Sequence, residues 1–229
     1  MMRLEKNATE LFGFAPFSTI YIIGSGASMD FFDPAFFSNK FCIGVNKVYK
    51  KFPVRFTVMK HFEDAQEAID AGQKVIVSRF DCGDTGRRVN EYDGEYFYFD
   101  HESNGDWEPN ISSVLNPGCG EIFVSESTIT SAIHIAAMMG AKDIILVGHD
   151  CGLLDGRYNF KGYYEIPEES RDDEHWKWCN QYNANIQEHT LKLRDVIQKV
   201  HGCYIYSLNP FIGIGLEGHE FQKSKKLEA

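Results

Sequence analysis

Short, nearly continuous apolar runs alternate with polar stretches of helical periodicity along most of this chain. The run Thr19–Ile23 is β-branched or aromatic almost throughout and ends in Gly24, the pattern of a central parallel strand buried on both faces. A second strand is predicted over Phe41–Val45, ending at Asn46, a third over residues 55–59, ending at Lys60, and a fourth over 74–78. The fourth is preceded by a helical pattern over 62–71 that Gly72 stops. Ile129, Ala132, Ile133, Ala136, Ala137 and Met139 then give one apolar helix face, with Ser and Thr available as caps and Gly140 as terminator. A buried strand over 143–148, a helix from about 181 to 201 and a strand over 203–208 complete the alternation.

Two stretches break the pattern. Residues 79–120 are rich in Gly, Asp and Asn around an aromatic strand candidate, Tyr96-Phe97-Tyr98-Phe99, and read as a β-excursion or a lid over the sheet edge. Residues 149–180 are polar and aromatic, too long for a simple connection, and read as a functional lid. The expected fold is therefore α/β: a Rossmann-like, mostly parallel sheet flanked by helices, with a lid insertion before the last helix. Its 229 residues suit one domain spanning the chain, and the polar stretch 221–229 reads as a frayed tail.

Composition narrows the partners. Hydrophobic residues make up 43% of the chain, enough for a large core. A net charge of -10 repels nucleic acid, whose non-specific binding depends on neutralising phosphates. A small anion held by loop amides and a few local cations is still compatible with that charge. The 6 cysteines form no Cys-x-x-Cys pair, which argues against a zinc ribbon or a redox motif and suits reduced thiols in a cytoplasm. Arg3, Glu5, Lys6 and Glu10 precede any apolar stretch, so neither a signal peptide nor a transmembrane segment is expected.

In open parallel sheets, ligands sit beyond the carboxyl ends of the strands, so the residues just after each strand are the candidates. Here these are Gly24-Ser25-Gly26-Ala27-Ser28, Asn46-Lys47, Lys60-His61, Gly148-His149-Asp150, and Ser207 with Asn209. Each alone is explained as a cap or turn former; together they line one rim. The glycines permit close backbone approach, Ser28 is placed to cap the next segment, and loop amides can meet an anion. Ser25, Ser28 and Asn46 offer hydrogen bonds to a nucleotide, and Lys47 or Lys60 a positive charge. The glycine pattern is neither a full Gly-x-Gly-x-x-Gly nor a P-loop, which disfavours NAD and Walker-type ATP sites.

Gly24-Ser25-Gly26-Ala27-Ser28-Met29, the strand-end Asn46, Ile129-Thr130-Ser131, Ile144-Ile145-Leu146-Val147-Gly148-His149-Asp150 and Tyr204-Ile205-Tyr206-Ser207-Leu208-Asn209-Pro210 recur in this order in two related groups. The chain resembles the bacterial lipooligosaccharide sialyltransferases and the MptE-like proteins, which include 6-hydroxymethylpterin pyrophosphokinases. The sialyltransferase resemblance implies donor contacts from Gly24, Gly26, Ser28 and Asn46, with Thr130 and Ser131 at the donor's sugar-acid or phosphate region. It implies tyrosine hydroxyls that stabilise the departing phosphate, Tyr158 being the nearest positional match with Tyr163 and Tyr164 behind it. It also implies a lid histidine as base, for which His175 is preferred to His189. An Arg that usually precedes the Thr-Ser pair is replaced by Thr128, which removes a charge-assisted partner for a sugar carboxylate.

The leading expectation is thus a metal-independent glycosyltransferase with a CMP-sugar donor, a glycan acceptor and no required cofactor. Its relatives often form tetramers, so a homo-oligomer joined through 79–120 is one expectation of the resemblance. No Asp-x-Asp follows a strand, so the motif of many metal-dependent sugar transferases is absent. The alternatives are a Mg²⁺-dependent pyrophosphokinase using the acidic run Glu165, Glu168, Glu169, Asp172, Asp173 and Glu174, and a non-catalytic nucleotide-binding module.

Overall fold

A computed structural model describes residues 4–60, 64–79, 92–102, 107–164 and 173–208, with backbone alone at 109, 173–182 and 184. Its centre is an 8-stranded sheet in the order β1-β6-β5-β4-β3-β2-β7-β8. The strands are β1 (Leu4–Asn7), β2 (Thr19–Ile23), β3 (Phe41–Val45), β4 (Phe56–Met59), β5 (Val75–Ser78), β6 (Glu95–Phe99), β7 (Asp143–Val147) and β8 (Tyr204–Ser207). Every pairing is parallel. Parallel strands need crossovers that cover both faces, and Ile20, Ile22, Ile43, Val58, Ile76, Ile144 and Leu146 are accordingly fully buried.

The helices are α1 (Ala65–Asp70), α2 (Trp107–Leu115), α3 (Thr128–Met138) and α4 (Asp173–His201). Ser127 caps α3, its hydroxyl accepting from the Ile129 amide at 3.3 Å. α3 is buried along almost its whole length, between the sheet and α4. The chain runs outward from β2 through β3, β4, β5 and β6, then returns to lay β7 on the other side of β2. The strand order therefore reverses between β2 and β7, where this architecture opens a crevice.

Within the stretch 79–120, the strand candidate belongs to the main sheet. β6 sits inside the sheet between β5 and β1, and Tyr96 and Phe99 are buried at 0% and 1% exposure. α4 begins at Asp173 rather than near residue 181, so the described part of the expected lid is the loop 151–164. His175 consequently lies in the first turn of a helix; its side chain is outside the described residues. The acidic run from Glu165 to Glu174, Asn209 and the tail 221–229 are also outside the described side chains.

Candidate functional site

At the carboxyl ends of β2 and β7 the two chains stay in register beyond the sheet. The Gly24 amide donates to the Val147 carbonyl at 2.7 Å and the Gly26 amide to the Gly148 carbonyl at 2.8 Å. A Cβ on Gly24 would stand 2.3 Å from the Gly148 oxygen, and one on Gly26 2.5 Å from the Asp150 carboxyl carbon. The glycines thus serve close approach between two chain segments. A short 3₁₀ helix, Ala27–Phe31, follows instead of an α-helix, and no side chain caps it.

Ser28 is fully buried and turned toward the protein. Its amide donates to Asp150 Oδ2 at 2.8 Å and its hydroxyl to Oδ1 at 2.5 Å. Burial raises the Asp150 pKa, and the two bonds from Ser28 oppose that rise. The anion against the glycine turn is therefore the chain's own carboxylate. Ser28 therefore does not cap the segment that follows, which was the expectation.

Beside the packed turn lies a crevice of about 200 Å³, lined by Ser25, Gly26, Asn46, Asp150 and Tyr158 among the sequence-predicted residues. Ser127, Thr128 and Ile129 bring the amino end of α3 to the same crevice, and Asn183 and Ile186 of α4 close another side. A helix amino terminus favours negative charge through its unpaired amides and dipole.

Asn46 holds a positive φ of 50°, which asparagine adopts more readily than bulkier residues. The Tyr163 phenol is hydrogen-bonded to both Asn46 and Ser25. Burial drives its pKa up, the Tyr164 phenol adds to this, and the bonds to Asn46 and Ser25 oppose it. Tyr163→Phe is expected to lower stability by about 1 kcal/mol, measured by urea unfolding, because two rim side chains lose a shared partner.

The loop carrying these tyrosines is fastened to the glycine turn. Gly26 bridges Asn159, the Ala27 amide donates to the Tyr158 carbonyl at 3.1 Å, and the Phe160 amide to the Ser25 carbonyl at 2.9 Å. Asp30 anchors the far side, accepting from Arg157 at 2.8 Å, Lys51 at 3.1 Å and the Lys161 amide. Burial alone would raise the Asp30 pKa; the bonds from Arg157, Lys161 and Lys51 bring it below the usual value.

Of the other expected residues, Gly148, His149 and Tyr164 also line the crevice, whereas Thr130, Ser131, Lys47, Lys60 and Gly24 do not. Thr130 is buried, its hydroxyl donating to the Ser127 carbonyl at 2.6 Å and sharing a 2.8 Å bond with Ser125. Ser131 is also fully buried, and its hydroxyl has no partner among the described residues. Lys47 pairs with Asp64 at 3.0 Å, while buried Lys60 donates to the Ser125 carbonyl. Gly24 packs against Gly148 and Ile129, which line the crevice.

Two further lining residues carry chemistry: His149, expected only as part of the strand-end rim, and Glu126, which no sequence pattern singled out. His149 Nε2 lies 2.7 Å from the Thr190 hydroxyl, which itself donates to the Ile186 carbonyl at 2.8 Å. Nε2 is therefore the protonated nitrogen, and burial pushes the His149 pKa down to about 4. Glu126 accepts from Asn185 Nδ2 at 3.0 Å through Oε1, while Oε2 is buried without a partner among the described residues. A charged residue placed between a buried run, Ile122 to Ser125, and the cap Ser127 was the available sequence signal. Among the described lining residues the charged side chains are Glu126 and Asp150, with no Lys or Arg.

No protein-family model matches the sequence, and no curated protein does. Among solved structures, a mammalian sialyltransferase aligns over 83% of this chain and 69% of its own at 13% identity and a TM-score of 0.41. The monofunctional alpha-2,3-sialyltransferase of Campylobacter jejuni aligns over 89% of this chain and 83% of its own, at 14% identity and a TM-score of 0.50. In the arrangement of its sheet and helices, this chain is similar to that bacterial enzyme.

Proposed function

We propose that the protein is a metal-independent glycosyltransferase of sialyltransferase-like type, transferring a sugar from a nucleotide-activated donor, a CMP-sugar, to a glycan hydroxyl. The observation that carries this reading is convergence. Ser25, Asn46, Asp150 and Tyr158 come from well-separated stretches of chain and meet on one crevice where the strand order reverses. The choice of a nucleotide-sugar donor follows from the motif resemblance and from a fold similar to that of a sialyltransferase.

In this reading the acceptor oxygen attacks the anomeric carbon while that carbon's bond to the donor phosphate breaks. The nucleotide departs with both bonding electrons, and the acceptor proton passes to a base, the role proposed for His175. Charge growing on the phosphate is met by the dipole of α3, whose amino end lines the crevice, and by the Tyr158 hydroxyl. Gly24, Gly26 and Ser28 shape the wall, Asn46 and Ser25 hold the nucleotide, and Lys47, Thr130 and Ser131 act from behind the lining.

Thermal unfolding with CMP, UDP, GDP and ATP, with Mg²⁺ or with EDTA, tests the reading. CMP at a hundredfold excess over its Kd is expected to stabilise the fold by about 2.7 kcal/mol, with EDTA present. A CMP-sugar should then release CMP in the presence of a glycan. Stabilisation by ATP that requires Mg²⁺, with AMP release, would replace this reading with the pyrophosphokinase. Binding with no turnover across a donor panel would leave a nucleotide-binding module.

A further inference from the structure

The end of the sheet opposite the crevice carries a second ordered feature. Going along the sheet from β5 to β8, the residues at or just before the strand starts are Lys74, Arg55, Lys40, Ser18, Lys142 and Tyr204. Half-buried Asp143 is the acid among those starts. Aromatic rings are interleaved with the cations. The Arg55 guanidinium lies 5.1 Å from the Phe14 ring and 4.9 Å from Phe41, and Lys40 Nζ lies 3.9 Å from Phe36.

Phe17 is the most exposed of these rings, at 85%, with Phe14 at 44% and Tyr204 at 45%. Its backbone holds a φ of 58°, a conformation that a bulky side chain adopts at a cost. The chain is pinned there on both sides: the Phe17 amide donates to the Gly140 carbonyl at 2.8 Å, and the Lys142 amide to the Ser18 carbonyl at 2.9 Å. The fold therefore spends backbone strain to hold a phenylalanine in water, and burial in the monomer returns nothing for it.

We propose that this basic, aromatic edge is a peripheral docking face for an anionic lipid surface. Phenylalanine has no polar handle and gains by entering the acyl boundary, while Lys and Arg around it meet headgroup charge. A second copy fits poorly, because a two-fold contact through this face would set its cations against themselves. Nucleic acid fits poorly too, since the most exposed group here is an apolar ring with nothing to offer a phosphate. No helix among the described residues is long and apolar enough to cross a membrane, so this attachment would lie at the surface. The crevice, at the other end of the strands, would then face water, whatever ligand it takes.

Co-sedimentation of the full chain with vesicles of phosphatidylcholine, alone or mixed with phosphatidylglycerol, tests the proposal at low and high salt. Binding is expected to the mixed vesicles, weakened by salt. Lys142→Gln should weaken it roughly fivefold, and Phe17→Asn by about tenfold. Asn tolerates the left-handed backbone, so melting temperatures of both variants no lower than the parent's would show that the fold is intact. Absence of binding to anionic vesicles at low salt would overturn the proposal, as would binding that neither substitution changes. A dimer in light scattering that Phe17→Asn dissolves would overturn it as well, by making a second copy the occupant.

Discussion

Gly148→Ala is expected to lower the unfolding free energy by about 2–5 kcal/mol. About 1–2 kcal/mol comes from placing an L side chain at left-handed backbone, and about 1–3 from overpacking. The residue sits at a φ of 67°, and a Cβ there would stand 2.4 Å from Met29 Cγ and 2.7 Å from the Gly24 carbonyl oxygen. Neither neighbour yields easily. Met29 is fully buried, and Gly24 is held by the bond from its amide to the Val147 carbonyl. Gly156→Ala is the matched control, because its φ of 72° is equally unfavourable but nothing lies within 4 Å. It should cost about 1–2 kcal/mol. Urea unfolding of both variants isolates the contact contribution, and equal losses would mean that the glycine turn and the Gly148 turn are not tightly apposed. The comparison bears on function because these two turns form the rigid wall beside Ser25, Gly26 and Asp150.

The same crossing shows where sequence was informative. β2 and β3 have the boundaries expected of them, since unbroken apolar runs flanked by turn residues can lie only in the middle of a covered sheet. β1 was missed because an edge strand reading Leu4-Glu5-Lys6-Asn7 has no apolar period to detect. α2 was missed for a related reason: it contains Pro109 and lies in a stretch dominated by turn-forming residues. The aromatic strand at 95–99 was visible as a strand, but its place between β5 and β1 is set by long-range pairing that no local pattern carries.

For the site, topology made the rim legible and side-chain direction did not follow from it. Ser25, Gly26, Asn46 and Asp150 line the crevice because strand ends converge there, and Tyr158 because its loop is fastened to the glycine turn. Ser28 and Thr130 turn inward because Asp150 and the α3 cap offer their hydroxyls nearer partners than solvent or ligand could. Such choices are made by packing, after the elements have formed.

Acidification is expected to destabilise the fold before most carboxylates titrate. His134, on α3, is fully buried; the Phe123 amide donates to its Nδ1 at 2.9 Å, and its ring lies 5.7 Å from that of His201. Burial, with the neighbouring His201 charge adding to it, pushes the His134 pKa down to about 3, while burial pushes His149 to about 4. An unfolded histidine titrates near 6.5. Below that value the unfolded chain binds protons that these two folded side chains refuse, so the stability present above about pH 6.5 is lost as pH falls toward their folded values. From about pH 7 to about pH 5 the loss is on the order of 2 kcal/mol for each. Burial likewise lowers His189 and His201, whose contributions have the same sign. Asp150 works the other way, because its raised pKa lets the folded state take up a proton first. The lowered carboxyls of Asp30, Glu95 and Glu188 matter only at pH values near and below the ordinary carboxylate range. His134→Asn keeps an oxygen able to accept from the Phe123 amide and removes the titration. It should be less stable than the parent at neutral pH, yet lose about 2 kcal/mol less on going to pH 5. Parallel losses in urea titrations of the two proteins would mean that His134 is protonated without unfolding, and that the space between α3 and the end of α4 admits water.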